Sequence, residues 1–308
     1  MPDRRDLWLH GRRLAYRDIG EGPPLLLVHG ITNSSRSWEP VARRLADKGH
    51  RVLAPDLPGH GDSDRHRGDH SLGAHAAALR DLLLATEVER ATVVGHSLGG
   101  GIVLQFSYHW PELVERLVLV DSGGLGREVS VFIRAATLPF AERVIGLGAS
   151  EPVMRAGNLI GGALNRLGLH PSPDRAEVLT GVASLADRRR REAFVRTARG
   201  VVSPGGQRVN ATDRLYLAEG IPTLLVWGDR DPIIPIAHGR AAHAQMPGSR
   251  LEVFEGAGHF PQVEDPERFT TLLDEFIATT EPLPFDPETI RRRVLGQASA
   301  PGSDSGSR

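Results

Sequence analysis

Ala91-Thr92-Val93-Val94-Gly95-His96-Ser97-Leu98-Gly99-Gly100-Gly101 is the stretch on which the fold turns. A short apolar run with β-branched residues reaches Gly-x-Ser-x-Gly and passes at once into Ile102-Val103-Leu104-Gln105-Phe106, which can be helical. A strand that turns so sharply into a helix crowds two backbones together, so small residues are needed at Gly95 and Gly99. The serine at the apex is forced into a strained, exposed conformation at the carboxyl edge of the sheet. There its hydroxyl can meet a base on one side and a substrate carbonyl on the other. A bare Gly-x-Ser-x-Gly is short enough to arise in any glycine-rich turn, so the rest of the chain decides its meaning.

The flanking sequence keeps one rhythm. Leu7–His10 and Arg13–Ile19 read as two short strands joined through Gly11, an opening hairpin. Pro24-Leu25-Leu26-Leu27-Val28 is a solid apolar run ending at His29-Gly30, the pattern of a strand buried on both faces. Trp38, Val41, Ala42 and Leu45 recur at helical spacing before Gly49, and Arg51–Ala54 is the next strand. A leucine- and alanine-rich helix covers 71–86, and Arg116–Val120 makes a further strand. After a long break, the rhythm returns at Pro222–Trp227, a helix near 235–246, and the strand Leu251–Phe254. A last helix has Asp265 as N-cap, Pro266 in its first turn and Phe269, Leu272, Leu273, Phe276 and Ile277 on one face. Strands alternating with helices through short loops predict an α/β fold with a mostly parallel sheet covered on both faces.

The break is informative. Residues 125–217 hold helical apolar spacing, no convincing strand and repeated Pro and Gly breaks, which predicts a helical insertion. The insertion carries 14 arginines against 8 acids, densest at Arg188–Arg191, a run that most simply makes a solvated helix face. The expected organisation is a core from 1–124 and 218–282, an inserted unit over 125–217, and a disordered tail over 283–308, rich in Pro, Ser, Gly and Arg.

Composition narrows the function classes. Of 308 residues, 40% are hydrophobic and 24% charged, ordinary for a globular protein with a substantial core. A formal net charge of −1 gives no reason to expect nucleic acid as a partner. No stretch approaches the ~18 consecutive apolar residues of a membrane span. The charged opening Met1–Asp6 has no apolar leader, so a cytoplasmic location is the expectation. The chain has no cysteine, which excludes disulfides, thiolate metal sites and a cysteine nucleophile. Lys48 is the one lysine among 37 basic residues, a bias we read as genomic composition.

A serine hydroxyl needs an imidazole to take its proton, and the imidazole needs a carboxylate to fix its tautomer. The chain offers Ser97, then Asp231 just beyond a strand, then His259 just beyond the next one. Parallel strands would bring these loops to one carboxyl edge, and Ser, acid, His is the chain order expected of α/β-hydrolases. Asp229 and Asp121, each also beyond a strand, compete for the acid role.

Five blocks make a resemblance plain: His29-Gly30, Asp56-Leu57-Pro58-Gly59-His60-Gly61-Asp62-Ser63, Gly95-His96-Ser97-Leu98-Gly99-Gly100, Trp227-Gly228-Asp229-Arg230-Asp231, and Gly258-His259. The chain resembles the α/β-hydrolase fold family, in its large group of esterases, lipase-like enzymes, carbon–carbon bond hydrolases and cofactor-free perhydrolases. The resemblance covers 24–280 apart from the insertion. It implies an eight-stranded sheet with a helical cap, here 125–217, above a serine hydrolase site that needs no cofactor and no metal. It also favours Asp231 as the acid, four residues after Trp227, with Asp229 supporting the loop. An oxyanion hole requires two backbone N–H groups. Leu98, after the nucleophile, supplies one, and the resemblance gives Ile31 as the other. His29 and His96 read as bracing residues, and the Asp56–Ser63 block as a structural loop.

The expected reaction is hydrolysis of a small-molecule carboxylic ester through an acyl-enzyme on Ser97. Carbon–carbon bond hydrolysis of a ring-cleavage product is the alternative. Members of that branch typically carry asparagine before the serine and arginine after the acid, where this chain has His96 and Pro232. The arginines at 188–191 would nonetheless suit anionic substrates. Acyl transfer or perhydrolysis through the same acyl-enzyme is a further reading, and a ligand receptor on this fold is the non-enzymatic one. Phe132, Leu138, Phe140, Val153 and Leu159 are the expected apolar pocket residues of the insertion, which should set substrate choice without taking part in the chemistry.

Overall fold

The computed structural model describes residues 4–65, 68–150, 153, 155, 166, 171–282 and 284–295. Strands β1 (Arg4–Leu9), β2 (Arg12–Ile19), β3 (Pro24–Val28), β4 (Arg51–Pro55), β5 (Ala91–His96) and β6 (Val114–Val120) precede the insertion. Strands β9 (Thr223–Gly228) and β10 (Arg250–Phe254) follow it. Together they form an eight-stranded sheet in the order β1-β2-β4-β3-β5-β6-β9-β10. β2 is antiparallel to both β1 and β4, and every other pairing is parallel. The opening hairpin turns through His10 and Gly11, both at positive φ, as a two-residue turn between twisted strands requires.

The solid apolar runs become the central strands because both of their faces are covered. All six residues of β5 and of β9 are buried. On one face lie helices α1 (Glu39–Asp47) and α9 (Pro266–Thr279), which with Trp38 at the start of α1 pack Val41, Leu45, Phe269 and Phe276 against Leu25, Leu27, Val94 and Val226. On the other lie α2 (Leu72–Ala85), α3 (Leu98–His109) and α8 (Ile236–Gln245), with Leu79, Leu82, Ile102, Phe106 and Ala242 against Leu26, Val93, Leu119 and Trp227. Helix ends follow local chemistry. Ser71 accepts from the Ala74 N–H and Asp265 from the Arg268 N–H, each at its own helix start.

Between β6 and β9 the chain forms α4 (Val131–Ala135), α5 (Ala141–Gly148), α6 (Pro173–Ser184) and α7 (Arg188–Val201). Two features depart from expectation. The insertion contains a small antiparallel pair, β7 (Val202–Ser203) and β8 (Gly206–Gln207), whose two-residue strands are too short to leave a pattern in sequence. The tail expected to be disordered from 283 carries helix α10 (Pro287–Val294). Asp286 nucleates it by accepting from the N–H groups of Glu288 and Thr289, with Pro287 pre-set for the first turn. Residues 296–308 lie outside the described residues. Among the described residues, no helix is long and apolar enough to cross a membrane.

Register decides where chemistry can occur. Val28 pairs with Gly95, His96 with Val120, and Val120 with Val226. The carboxyl ends of β3, β5, β6 and β9 therefore finish side by side, and their loops meet at one edge.

Candidate active site

Ser97 sits between β5 and α3 with φ 54° and ψ −117°, a conformation that side chains rarely adopt and that costs ~1–3 kcal/mol. The surrounding contacts impose it. A methyl on Gly95 would lie 2.3 Å from the Gly99 carbonyl oxygen, and one on Gly99 would lie 2.3 Å from that of Val28. The turn is held further by the Ser97 N–H on the Val120 carbonyl at 3.0 Å, and by the Gly123 N–H on the Ser97 carbonyl at 2.9 Å. Leu98 is the first residue of α3, where backbone N–H groups have no partner within the helix.

His259 follows β10, and its Nδ1–H donates to Asp231 Oδ2 at 2.8 Å. That bond leaves Nε2 as the proton acceptor, since a carboxylate can only accept. Asp231 is itself fixed: its Oδ1 accepts from the Ile233 N–H at 2.7 Å and the Ile234 N–H at 3.1 Å. Both side chains are shut off from solvent, at 3% and 0% exposure. The structure thus brings Asp231, of the three carboxylates in contention, onto the imidazole. Asp229 instead accepts from the Gly256 N–H at 2.6 Å and braces the loop below.

Asp121 is fully buried at positive φ beyond β6, and its Oδ1 accepts from the Gly228 N–H at 3.0 Å. Burial first, and then the neighbouring Asp231, hold its carboxyl well above the usual carboxylate range. Ligating atoms of Asp121, Asp231 and His259 lie within 4.8 Å of one another. Two of these groups are spent on each other in the His259–Asp231 bond, so the cluster is better suited to holding protons than to holding a cation.

His96 and His29 brace the site. His96 Nε2–H donates to the His259 carbonyl at 2.7 Å, and its ring lies 4.7 Å from the His259 ring. His29 donates from Nδ1 to the Gly30 carbonyl at 2.7 Å and accepts at Nε2 from the Leu57 N–H at 3.0 Å, tying the loop after β3 to the loop after β4. Burial holds both rings below the ordinary histidine range. In the Asp56–Ser63 block, Asp56 accepts from the N–H groups of Ser35 and Asp62 at 2.7 Å each.

Ser97, Leu98, His259 and Ile31 all line one cavity of about 380 Å³. Its other walls are largely apolar and come from both the sheet edge and the insertion: Val129, Ile133, Val178, Val182 and Val209 among them. Of the pocket residues expected from sequence, Phe132 lines it. Leu138, Phe140 and Val153 do not, and are 45%, 69% and 52% exposed. Leu138 and Phe140 fall between α4 and α5 rather than on a helix face, so helical spacing could not place them. Leu159 lies outside the described residues. Arg188–Arg191 are absent from this cavity; Arg188 and Arg189 are exposed, and Arg190 lines a neighbouring cavity that shares Ile31, Thr32 and Asn33 with it.

The family model for the alpha/beta hydrolase fold matches residues 23–266. The chain belongs to the alpha/beta hydrolase family. This hydrolase is 43% identical over 302 residues to an uncharacterized protein of Mycobacterium tuberculosis, covering 96% of this chain and 88% of that one. It is 30% identical over 292 residues to a 2-hydroxymuconate semialdehyde hydrolase of Pseudomonas putida, with 91% and 95% covered. Among solved structures it is similar to a thermophilic esterase from Thermogutta terrifontis, with a TM-score of 0.68, 26% identity, and 89% and 98% of the chains covered. A 2-hydroxymuconate semialdehyde hydrolase and an esterase thus both stand among the relatives of this alpha/beta hydrolase. One contact at the site had no sequence signal: Asp174 of α6, distant in the chain, accepts from the Phe260 N–H beside His259.

Proposed function

We propose that the protein is a serine hydrolase that cleaves neutral, apolar carboxylic esters through an acyl-enzyme on Ser97. The observation that carries the reading is the wall of the cavity: among the described residues lining it there is no Arg, Lys, Asp or Glu. An apolar acyl chain gains free energy there, whereas a carboxylate would be stripped of water without a cation to replace it. This favours esters over the anionic products of ring cleavage, since the arginines at 188–191 that would suit such substrates are not in its wall.

His259 Nε2 takes the proton from Ser97 Oγ as the oxygen attacks the acyl carbon. The Nδ1–H bond to Asp231 stabilises the imidazolium that results. The N–H groups of Ile31 and Leu98 are the donors for the developing alkoxide. When the carbon–oxygen bond breaks, the imidazolium gives its proton to the departing alcohol. Water, deprotonated by the same imidazole, then releases the acid and restores Ser97. The insertion over 125–217 acts as a cap that closes the acyl pocket, with Phe132 as its sequence-predicted contact.

The test compares p-nitrophenyl esters of two to ten acyl carbons with a 2-hydroxy-6-oxo-dienoate ring-cleavage product. The proposal expects kcat/KM to rise with chain length and the dienoate to be turned over at least ~100-fold more slowly, the margin of a buried uncompensated charge. Preference for the dienoate would transfer the assignment to carbon–carbon hydrolysis.

A further inference from the structure

Helix α6 touches the site at two places one helical turn apart. Near its start Asp174 is buried, and its Oδ1 accepts from the Phe260 N–H at 3.0 Å. The same carboxyl group fills the space beside Gly258, where a methyl would lie 2.6 Å from its atoms. Asp174 therefore lies against the residues on both sides of His259. Three residues on, Glu177 Oε1 accepts from Asn33 Nδ2 at 2.8 Å. The Asn33 N–H in turn donates to the Gly30 carbonyl at 3.1 Å, closing the turn that carries Ile31. Gly181 completes the same helix face and packs on Thr32, whose Oγ1 would lie 2.5 Å from a methyl placed there.

The His259 backbone is pinned from three directions. His96 holds its carbonyl, Glu264 accepts from the Gly258 N–H at 3.2 Å, and Asp174 takes the Phe260 N–H. The first two anchors belong to the core, and Asp174 belongs to the insertion. A carboxylate on a buried amide N–H is a charge-assisted bond, stronger and more directional than a neutral one. Freeing that amide would leave a buried donor unpaired beside the catalytic base. One helix thus grips the loop of the base and the loop of an oxyanion donor together.

We infer that α6 is a positioning strut for catalysis: Asp174 fixes the His259 loop and Glu177 fixes the Ile31 loop. The cap then contributes to the chemical step as well as to substrate choice. This rests on the serine hydrolase reading above. It also departs from the sequence-based expectation that 125–217 governs specificity alone.

Phosphonylation of Ser97 by two fluorophosphonates, one with a methyl and one with an octyl chain, tests it without knowledge of the natural substrate. Asp174→Ala is expected to slow both labelling rates by the same factor, about ten- to a hundredfold, because misplacing a catalytic group penalises every substrate. Asp174→Asn keeps an oxygen for the Phe260 N–H and should restore the rate to within about threefold of the native protein. Glu177→Ala is read by the same criterion and stands in if thermal unfolding shows that Asp174→Ala does not fold. Equal rates for Asp174→Ala and native protein, or a loss confined to the octyl probe, would overturn the strut and leave the cap as a pocket wall. Native protein that takes no label on Ser97 would instead remove the serine hydrolase reading itself.

Discussion

Replacing Asp231 with asparagine tests the assignment of the acid most sharply. Oδ1 is claimed by the N–H groups of Ile233 and Ile234, so the amide nitrogen must take the place of the oxygen that faces His259. Two N–H groups cannot point at one another, so the imidazole proton would move to Nε2, leaving no base for Ser97. Both side chains are shut off from solvent, so water cannot substitute. The expected loss in kcat is on the order of 10⁴, or ~5.5 kcal/mol of transition-state stabilisation. Asp121→Asn differs. It keeps a carbonyl for the Gly228 N–H, and Nδ1 of the imidazole is held by Asp231 instead, so the loss should stay within about tenfold in rate. Steady-state kinetics on one ester, with circular dichroism to verify folding, read both. If Asp231→Asn stays within about tenfold of the native enzyme, or Asp121→Asn proves the more damaging, the acid lies beyond β6 and the reasoning fails.

Two other perturbations have defined outcomes. His29, His60 and His96 are buried with lowered pKa values, His60 down to about 3, so the unfolded chain binds protons below its ordinary pKa of ~6.5 that the native protein refuses. Stability is therefore full above that pH and falls on acidification, His60 alone contributing up to ~1.4 kcal/mol per pH unit and His29 and His96 acting in the same direction. Asp121, raised instead, gives a term of opposite sign that offsets part of the acid loss. Urea midpoints between pH 7 and pH 5 should fall steeply, and a flat profile would contradict the buried neutral rings. Phe132 lines the cavity and stacks on Phe194 at 6.3 Å. Phe132→Ala should lower kcat/KM about tenfold for an octanoyl ester and leave an acetyl ester unchanged, at ~1–3 kcal/mol per pocket contact. An equal loss on both esters would make Phe132 a packing residue.

The parts of this molecule legible from sequence are those decided by short-range sterics. Gly95 and Gly99 are glycines because the Gly99 and Val28 carbonyls leave no room for a methyl, and that demand is written next to Ser97 itself. The central strands were legible because burial on both faces requires unbroken apolar runs such as Leu25–Val28. Asp231 and His259 were legible because parallel strands carry their loops to a common edge. The insertion resisted for a physical reason. Phe132 lies on the five-residue α4 and Phe140 just before the start of α5, and which of them turns inward depends on contacts made by chain far away. Asp174 shows the same limit, since its partner Phe260 lies 86 residues on and nothing in its neighbourhood marks it. The helix Pro287–Val294 was obscured by a polar, proline-rich setting, although Asp286-Pro287 was a readable start signal.

The central claim is a covalent intermediate on Ser97, and trapping it is the direct measurement. A p-nitrophenyl ester mixed with the enzyme and quenched in acid within milliseconds should yield intact protein heavier by one acyl group, mapped by peptide fragmentation to Ser97. The adduct should vanish in Ser97→Ala. Turnover of the ester with no acylated protein at any quench time, or with the acyl group on another residue, would contradict the account.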